Sequence, residues 1–248
     1  DLLDDLEHRN FIVCFVPKID TATGRVAEAE AVVRYHHKDL GIVDPGRYIN
    51  LLEETKLSHY LDLYVFEEVC KTLHRWELEG IPLIPIAVNF AGATLKQESI
   101  AEKMLHLIEK YHVRCEYLEV EVSESSNDMN QEMLAETSSK IRKANVRVIL
   151  DHFGAKDSSF SILSLMEFDG LKLDKSLITN IVGNTRSRIV AQAVIDICRQ
   201  LGAFVQASGV ETQDQLNVLK ELGCDYAQGT LFNKPITIET FEIRYMKE

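Results

Sequence analysis

Short apolar runs alternate along this chain with longer segments whose apolar residues recur at helical spacing. Phe11–Val16 and Val26–Tyr35 read as strands, joined by the turn-rich Asp20-Thr21-Ala22-Thr23-Gly24, and together they predict a hairpin. Helical patterns follow at about Pro45–Glu54 and Ser58–Glu79, the second amphipathic and closing at Gly80. A strand-then-helix rhythm then takes over. Strands are predicted over Ile84–Phe90, Tyr117–Ser123, Val146–Phe153, Gly170–Asp174, Phe204–Gly209 and Asp225–Gly229. Helices are predicted near Leu95–Tyr111, Asn130–Ala144, Arg186–Leu201 and Thr212–Leu222, with a short one after Phe153. About seven parallel strands with covering helices favour an α/β fold closed into a TIM-like (β/α) barrel over an open sheet. The opening hairpin implies one strand antiparallel to the others.

Composition narrows the picture. The 248 residues suffice for a substantial core, and no low-complexity stretch or linker interrupts them, so residues 1–248 are expected to form a single domain. A net charge of −12 argues against a nucleic-acid duplex or an anionic membrane as main partner. A small phosphorylated ligand remains compatible, because arginines and metal ions reverse the field inside a cleft. The five cysteines are scattered without a CxxC pair, which points to reduced thiols and a cytoplasmic setting rather than a disulfide or zinc framework. No apolar run reaches the roughly 18 residues of a membrane span. The chain starts at Asp1 without a methionine, so it is expected to be a domain of a longer parent, whose other domains are expected partners and which could be membrane-anchored elsewhere.

Candidate chemistry gathers at the strand ends. Asn89, Glu121, Asp151, Lys172, Ser208 and Gln228 stand at or near them, and in a barrel those ends form one mouth. Side chains alternate along a strand, so Glu30 shares a face with Arg34, and Lys172 with Asp174. Glu30, Asn89, Glu121 and Asp151 are oxygen donors from four different strands. Three carboxylates meeting in one mouth repel unless a cation neutralises them, and oxygen-only donors suit Mg²⁺ or Mn²⁺ rather than zinc. Lys172 adds a cation able to orient a water or stabilise a phosphate oxygen. It could instead form only an ion pair with Asp174, and Arg34 could pair with Glu30 or Glu28.

These motifs, taken in order, resemble the EAL domain family of cyclic di-GMP phosphodiesterases. The signature tripeptide is Glu30-Ala31-Val32, within Glu30–Tyr35; the Asn strand is Val88-Asn89-Phe90; the ExxE strand is Glu121-Val122-Ser123-Glu124. The Asp-Asp-Phe-Gly loop corresponds to Asp151-His152-Phe153-Gly154, the Lys strand to Leu171–Asp174, the Glu-Gly-Val-Glu-Thr run to Ser208–Thr212, and the closing motif to Leu222–Gly229. The resemblance implies an EAL-type barrel with one antiparallel strand and hydrolysis of cyclic di-GMP to pGpG with two divalent metals. It implies Glu30, Asn89, Glu121 and Asp151 as ligands of the first metal, Lys172 as the residue orienting the attacking water, and Gln228 as reaching a metal through water. It further implies Glu124 as the brace of the loop after Asp151, Arg34 as a phosphate contact, and a homodimer formed near that loop.

Two site positions depart from the pattern. His152 replaces the second Asp, and Ser208 replaces the first Glu of the Glu-Gly-Val-Glu run, which removes two carboxylates from the site. Nearby, Ala155-Lys156-Asp157 stands where the family has a Thr-Gly-Tyr type run, and Val16 replaces the Gln of its Tyr-Gln-Pro motif. His152 reads first as a packed or solvent-facing loop histidine and second as a substitute metal ligand, whereas His36-His37 reads as surface. Three functions follow. The favoured one is a degenerate EAL domain, inactive or very weak, that senses cyclic di-GMP or regulates a partner. The others are a slow genuine phosphodiesterase and a protein-interaction module without nucleotide binding. One metal ion, two, or none is compatible with the donors present.

Overall fold

In the computed structural model, residues 10–37, 41–43, 48–49, 52, 55, 57–123, 131–155 and 160–247 are described. The opening hairpin is β1 (Phe11–Asp20) and β2 (Val26–His37), and β3 (Gly41–Val43) pairs with the end of β2. β4 (Ile86–Asn89), β5 (Leu118–Ser123), β6 (Arg147–Phe153), β7 (Gly170–Leu173), β8 (Phe204–Ala207) and β9 (Tyr226–Ala227) continue the sheet, and β10 (Ile236–Thr237) returns to the start of β1. Of these ten, all but β3 and β10 close a barrel in the order β1-β2-β4-β5-β6-β7-β8-β9-β1. β2 and β4 to β9 are mutually parallel, and β1 is antiparallel to both its neighbours, as the hairpin predicts.

Helices cover the outside. α1 (Ser58–Glu79) stops at Gly80, whose φ of 70° lets its N–H turn back to the carbonyls of Glu77 and Trp76. α2 (Ile100–Lys110), α3 (Gln131–Lys143), α4 (Thr185–Leu201) and α5 (Gln213–Leu222) follow. A capping box between Thr212 and Gln215 starts α5, and the Asn184 side chain caps α4. The short strands β3 and β10 and the helical turns after β10 were not expected from the sequence pattern, and two expected elements have different bounds. The helix expected over Leu95–Tyr111 starts only at Ile100, as α2, and a separate helical turn at Gly92–Leu95 precedes it, with Asp62 of α1 accepting from Ala91 N at 2.8 Å. β1 runs on to Asp20 instead of stopping at Val16, since the ladder with β2 continues through Pro17 and Lys18 to Ile19↔Val26. The helix expected over Pro45–Glu54 falls largely outside the described residues. Among the described residues no helix is long and apolar enough to cross a membrane.

Between barrel and helices the packing is apolar. Phe15, Trp76 and Phe241 meet edge-on or stacked, with centroids 5.5–6.5 Å apart, and Trp76 Nε1 donates to Glu242 Oε1 at 2.7 Å. Burial by itself would raise the Glu242 carboxyl. Hydrogen bonds from Arg75 and Trp76 outweigh it and hold the group below its ordinary value. A carboxylate held low stabilises the fold above its unfolded pKa and loses that contribution as pH falls through the folded one. Trp76→Phe, which keeps most of the apolar body, is therefore expected to cost about 1–3 kcal/mol at pH 7, with a smaller cost near pH 3, in urea unfolding at both pH values. An equal cost at the two pH values would show that lost packing, not the hydrogen bond, accounts for it.

Many TIM barrels fill their interior with branched apolar side chains. Here Lys18, Glu28, Glu30, Glu119, Glu121, Asp151, Lys172 and Gln206 are all buried within it. Charges in such a place need partners, and the partners define the site.

Candidate functional site

At the C-terminal mouth, Glu30 of β2, Asn89 of β4, Glu121 of β5, Asp151 of β6 and Lys172 of β7 converge with Gln228, which follows β9. The Lys172 ammonium stands among three carboxylates, 2.9 Å from Glu30 Oε2, 2.6 Å from Glu121 Oε2 and 3.7 Å from Asp151 Oδ2. Asn89 Nδ2 donates to Glu30 Oε1 at 2.7 Å and Gln228 Nε2 to Glu30 Oε2 at 2.6 Å. The six predicted residues therefore form one cluster. Asp174 does not pair with Lys172: it caps the helical turn Lys175–Ile178, accepting from Ser176 N.

Charge compensation sets the protonation states. Burial would lower the Lys172 ammonium, but the Asp151, Glu121 and Glu30 carboxylates hold it well above its usual value. Burial would likewise raise Asp151; Lys172 and the hydrogen bond with His152 pull its carboxyl down to about 2. Glu30 is lowered because Lys172 outweighs its burial, whereas burial and the neighbouring Glu30 carboxylate raise Glu121. Lys172 is the counter-ion that the three carboxylates share.

His152 sits on the rim, half exposed, with φ 59° and its Nδ1 3.1 Å from Asp151 Oδ2. The Asp151 hydrogen bond raises the imidazole above its ordinary value and favours imidazolium. Ser208 Oγ donates to Leu173 O at 2.9 Å. Arg34 Nη1 donates to Val33 O at 2.9 Å, and its side chain lines a pocket of about 490 Å³ shared with Asp62, Asn89, Phe90, Ser123 and His152. That pocket opens beside the carboxylate cluster, since Asn89 belongs to both. Glu124 and Lys156 lie outside the described residues.

The donors fit a hard cation. Glu30, Glu121 and Asp151 supply carboxylate oxygens, and Gln228 Oε1 is buried without a hydrogen-bond partner among the described residues. No three His, Cys, Asp or Glu side chains among the described residues are drawn into a closed metal cage, because Lys172 stands between the carboxylates.

A second layer of charge lies beneath, and strand patterns alone did not single it out. Lys18, Glu28, Glu119, Arg147 and Gln206 interact below Glu30 and Glu121. A two-residue step marks four of them: Lys18 lies opposite Glu28, two residues before Glu30; Glu119 is two before Glu121; Gln206 is two before Ser208; Arg147 opens β6, four before Asp151. Burial, with the Glu119 carboxyl alongside, raises Glu28 to about 7.

Comparison with known proteins bears on this arrangement. Residues 1–235 match the EAL domain family. The cyclic di-GMP phosphodiesterase NbdA of Pseudomonas aeruginosa is 32% identical over 228 residues, which make up 92% of this chain and 29% of that protein. The signaling protein YkoW of Bacillus subtilis is 31% identical over 241 residues, 97% of this chain and 30% of that protein. A solved structure of the PaMucR phosphodiesterase in complex with c-di-GMP superposes with a TM-score of 0.89 at 26% identity, covering 97% of this chain and 98% of the other. The chain spans under a third of the length of these two curated relatives.

Proposed function

The chain belongs to the EAL domain family, homologous to cyclic di-GMP phosphodiesterases, and on that premise we propose that it is a degenerate member: a domain of a longer protein that binds cyclic di-GMP and regulates other domains, with little or no hydrolysis. One observation carries this reading. Where the pattern has a second aspartate, His152 places an imidazole against Asp151, and Ser208 Oγ is spent on a backbone carbonyl. Neither contributes a carboxylate oxygen, and an imidazolium would repel a cation.

The remaining residues divide the work of binding. Glu30, Asn89, Glu121 and Asp151, with Gln228 behind them, would hold one Mg²⁺ or Mn²⁺. When bound, that ion supplies charge neutralisation at a phosphodiester oxygen. Arg34 holds the phosphate from the pocket side, and the apolar part of the pocket takes a base. Lys172 orients a water or phosphate oxygen at the mouth.

Calorimetry with cyclic di-GMP tests the binding. Micromolar or tighter affinity is expected, and Arg34→Ala should weaken it about tenfold or more, the worth of a hydrogen bond to a charged group. No detectable binding would leave a protein-interaction module instead. Turnover to pGpG in Mg²⁺ and Mn²⁺ tests the chemistry: rates matching an active EAL enzyme overturn the degenerate reading. A slow phosphodiesterase is the second reading, favoured by the complete Glu30-Asn89-Glu121-Asp151 set with Lys172 in its midst.

A further inference from the structure

Lys18 is a buried ammonium below the mouth. β1 runs against the other barrel strands, so its inward positions Cys14, Val16 and Lys18 descend from the mouth into the interior. Lys18 lies opposite Glu28, one layer beneath Glu30, and is 0% exposed. Its Nζ is 3.0 Å from Glu121 Oε1, 3.4 Å from Glu119 Oε2 and 4.0 Å from Glu28 Oε2. Lys172 holds the other oxygen of the same carboxylate, Glu121 Oε2, at 2.6 Å. Glu121 is thus gripped by two ammonium groups, one facing the mouth and one sealed beneath.

The lower layer keeps Lys18 in place. Arg147 Nη2 bridges Glu28 Oε1 at 3.3 Å and Glu119 Oε1 at 2.6 Å, and Gln206 Nε2 donates to Glu28 Oε2 at 3.0 Å. The carboxylates around Lys18 are therefore themselves fixed, and enclosure gives the ammonium no path to solvent. Between buried charges, water and salt screen little.

We propose that Lys18 is a positioning residue: a built-in cation that holds Glu121 from beneath and competes with a divalent ion for that carboxylate. This rests on the reading of Glu30, Asn89, Glu121 and Asp151 as a divalent-cation site. Lys18 cannot touch a ligand at the mouth and acts only through Glu121. An ion bound there must share a carboxylate already neutralised on both oxygens, and it feels a fixed positive charge below. The domain's affinity for a divalent ion is set low by its own interior.

Mn²⁺ titration by calorimetry, on wild type, Lys18→Met and the double variant Lys18→Met/Glu119→Gln, tests this. The double variant conserves net charge, so it leaves no extra carboxylate uncompensated and carries the test if Lys18→Met alone fails to fold. Both variants are expected to bind Mn²⁺ at least about tenfold tighter than wild type, and Asp151→Asn should remove the gain. A merely structural role for Lys18 would change the melting temperature and leave the Mn²⁺ affinity unmoved. If wild type binds Mn²⁺ through Asp151 and the double variant binds no tighter, the role of Lys18 is refuted while the cation site stands. If no variant binds Mn²⁺ saturably, the cation site fails and the proposal falls with it.

Discussion

Replacing His152 by Asp and Ser208 by Glu in one chain is expected to raise hydrolysis of cyclic di-GMP to pGpG by roughly a thousandfold. A catalytic metal contributes several kcal/mol to a transition state, and about 1.4 kcal/mol is a factor of ten in rate. Both substitutions are compatible with the backbone. His152 occupies the left-handed region at φ 59°, where a short Asp is at least as well tolerated. Glu at 208 gives up a hydrogen bond to Leu173 O and gains a carboxylate beside β7 and β9. The change also removes an imidazole that stands against Asp151. Initial rates in Mg²⁺ and in Mn²⁺ decide the matter. No acceleration would place the lesion elsewhere, at Lys156 or at Val16, which lies buried opposite Glu30.

Lys172→Met is expected to produce the largest loss of stability. The substitution keeps the volume and removes the ammonium that Glu30, Glu121 and Asp151 share. Breaking a buried ionic cluster by deleting one partner costs about 3–5 kcal/mol, which in a domain of this size lowers the melting temperature by on the order of 10 °C. The pH dependence identifies the cause. Asp151 is held at about 2 in the native state, so its contribution is complete at neutral pH and fades as pH falls through the ordinary carboxylate range towards 2. Without Lys172 the carboxylates take up protons more readily, and the difference from wild type shrinks in acid. Thermal unfolding in EDTA at pH 7 and pH 4 would reveal this; an unchanged melting temperature at pH 7 would mean that Lys172 is not the counter-ion of the cluster.

Strand ends were legible because side chains alternate with a fixed period. Asn89, Glu121, Asp151, Lys172 and Gln228 each close or follow an apolar run, and the fold brings all five to one mouth with Glu30. The Asp20–Gly24 turn likewise announced the antiparallel strand. Lys18 was not legible in the same way. A lysine after a proline reads as the end of a strand, and only the pairing of β1 with β2 carries the ladder past it. Asp62 is similar: nothing near it in sequence says that it caps a helical turn 29 residues away.

The sequence by itself determined the barrel, the antiparallel opening strand and the set of side chains at its mouth, because these follow from local periodicity and from motifs read in order. Only the tertiary structure decided how the charges are balanced. Coulombic energy depends on distance across strands, so the sharing of Lys172 among three carboxylates, the turning of Ser208 onto Leu173 and the hold of Lys18 on Glu121 from beneath exist only once the barrel closes.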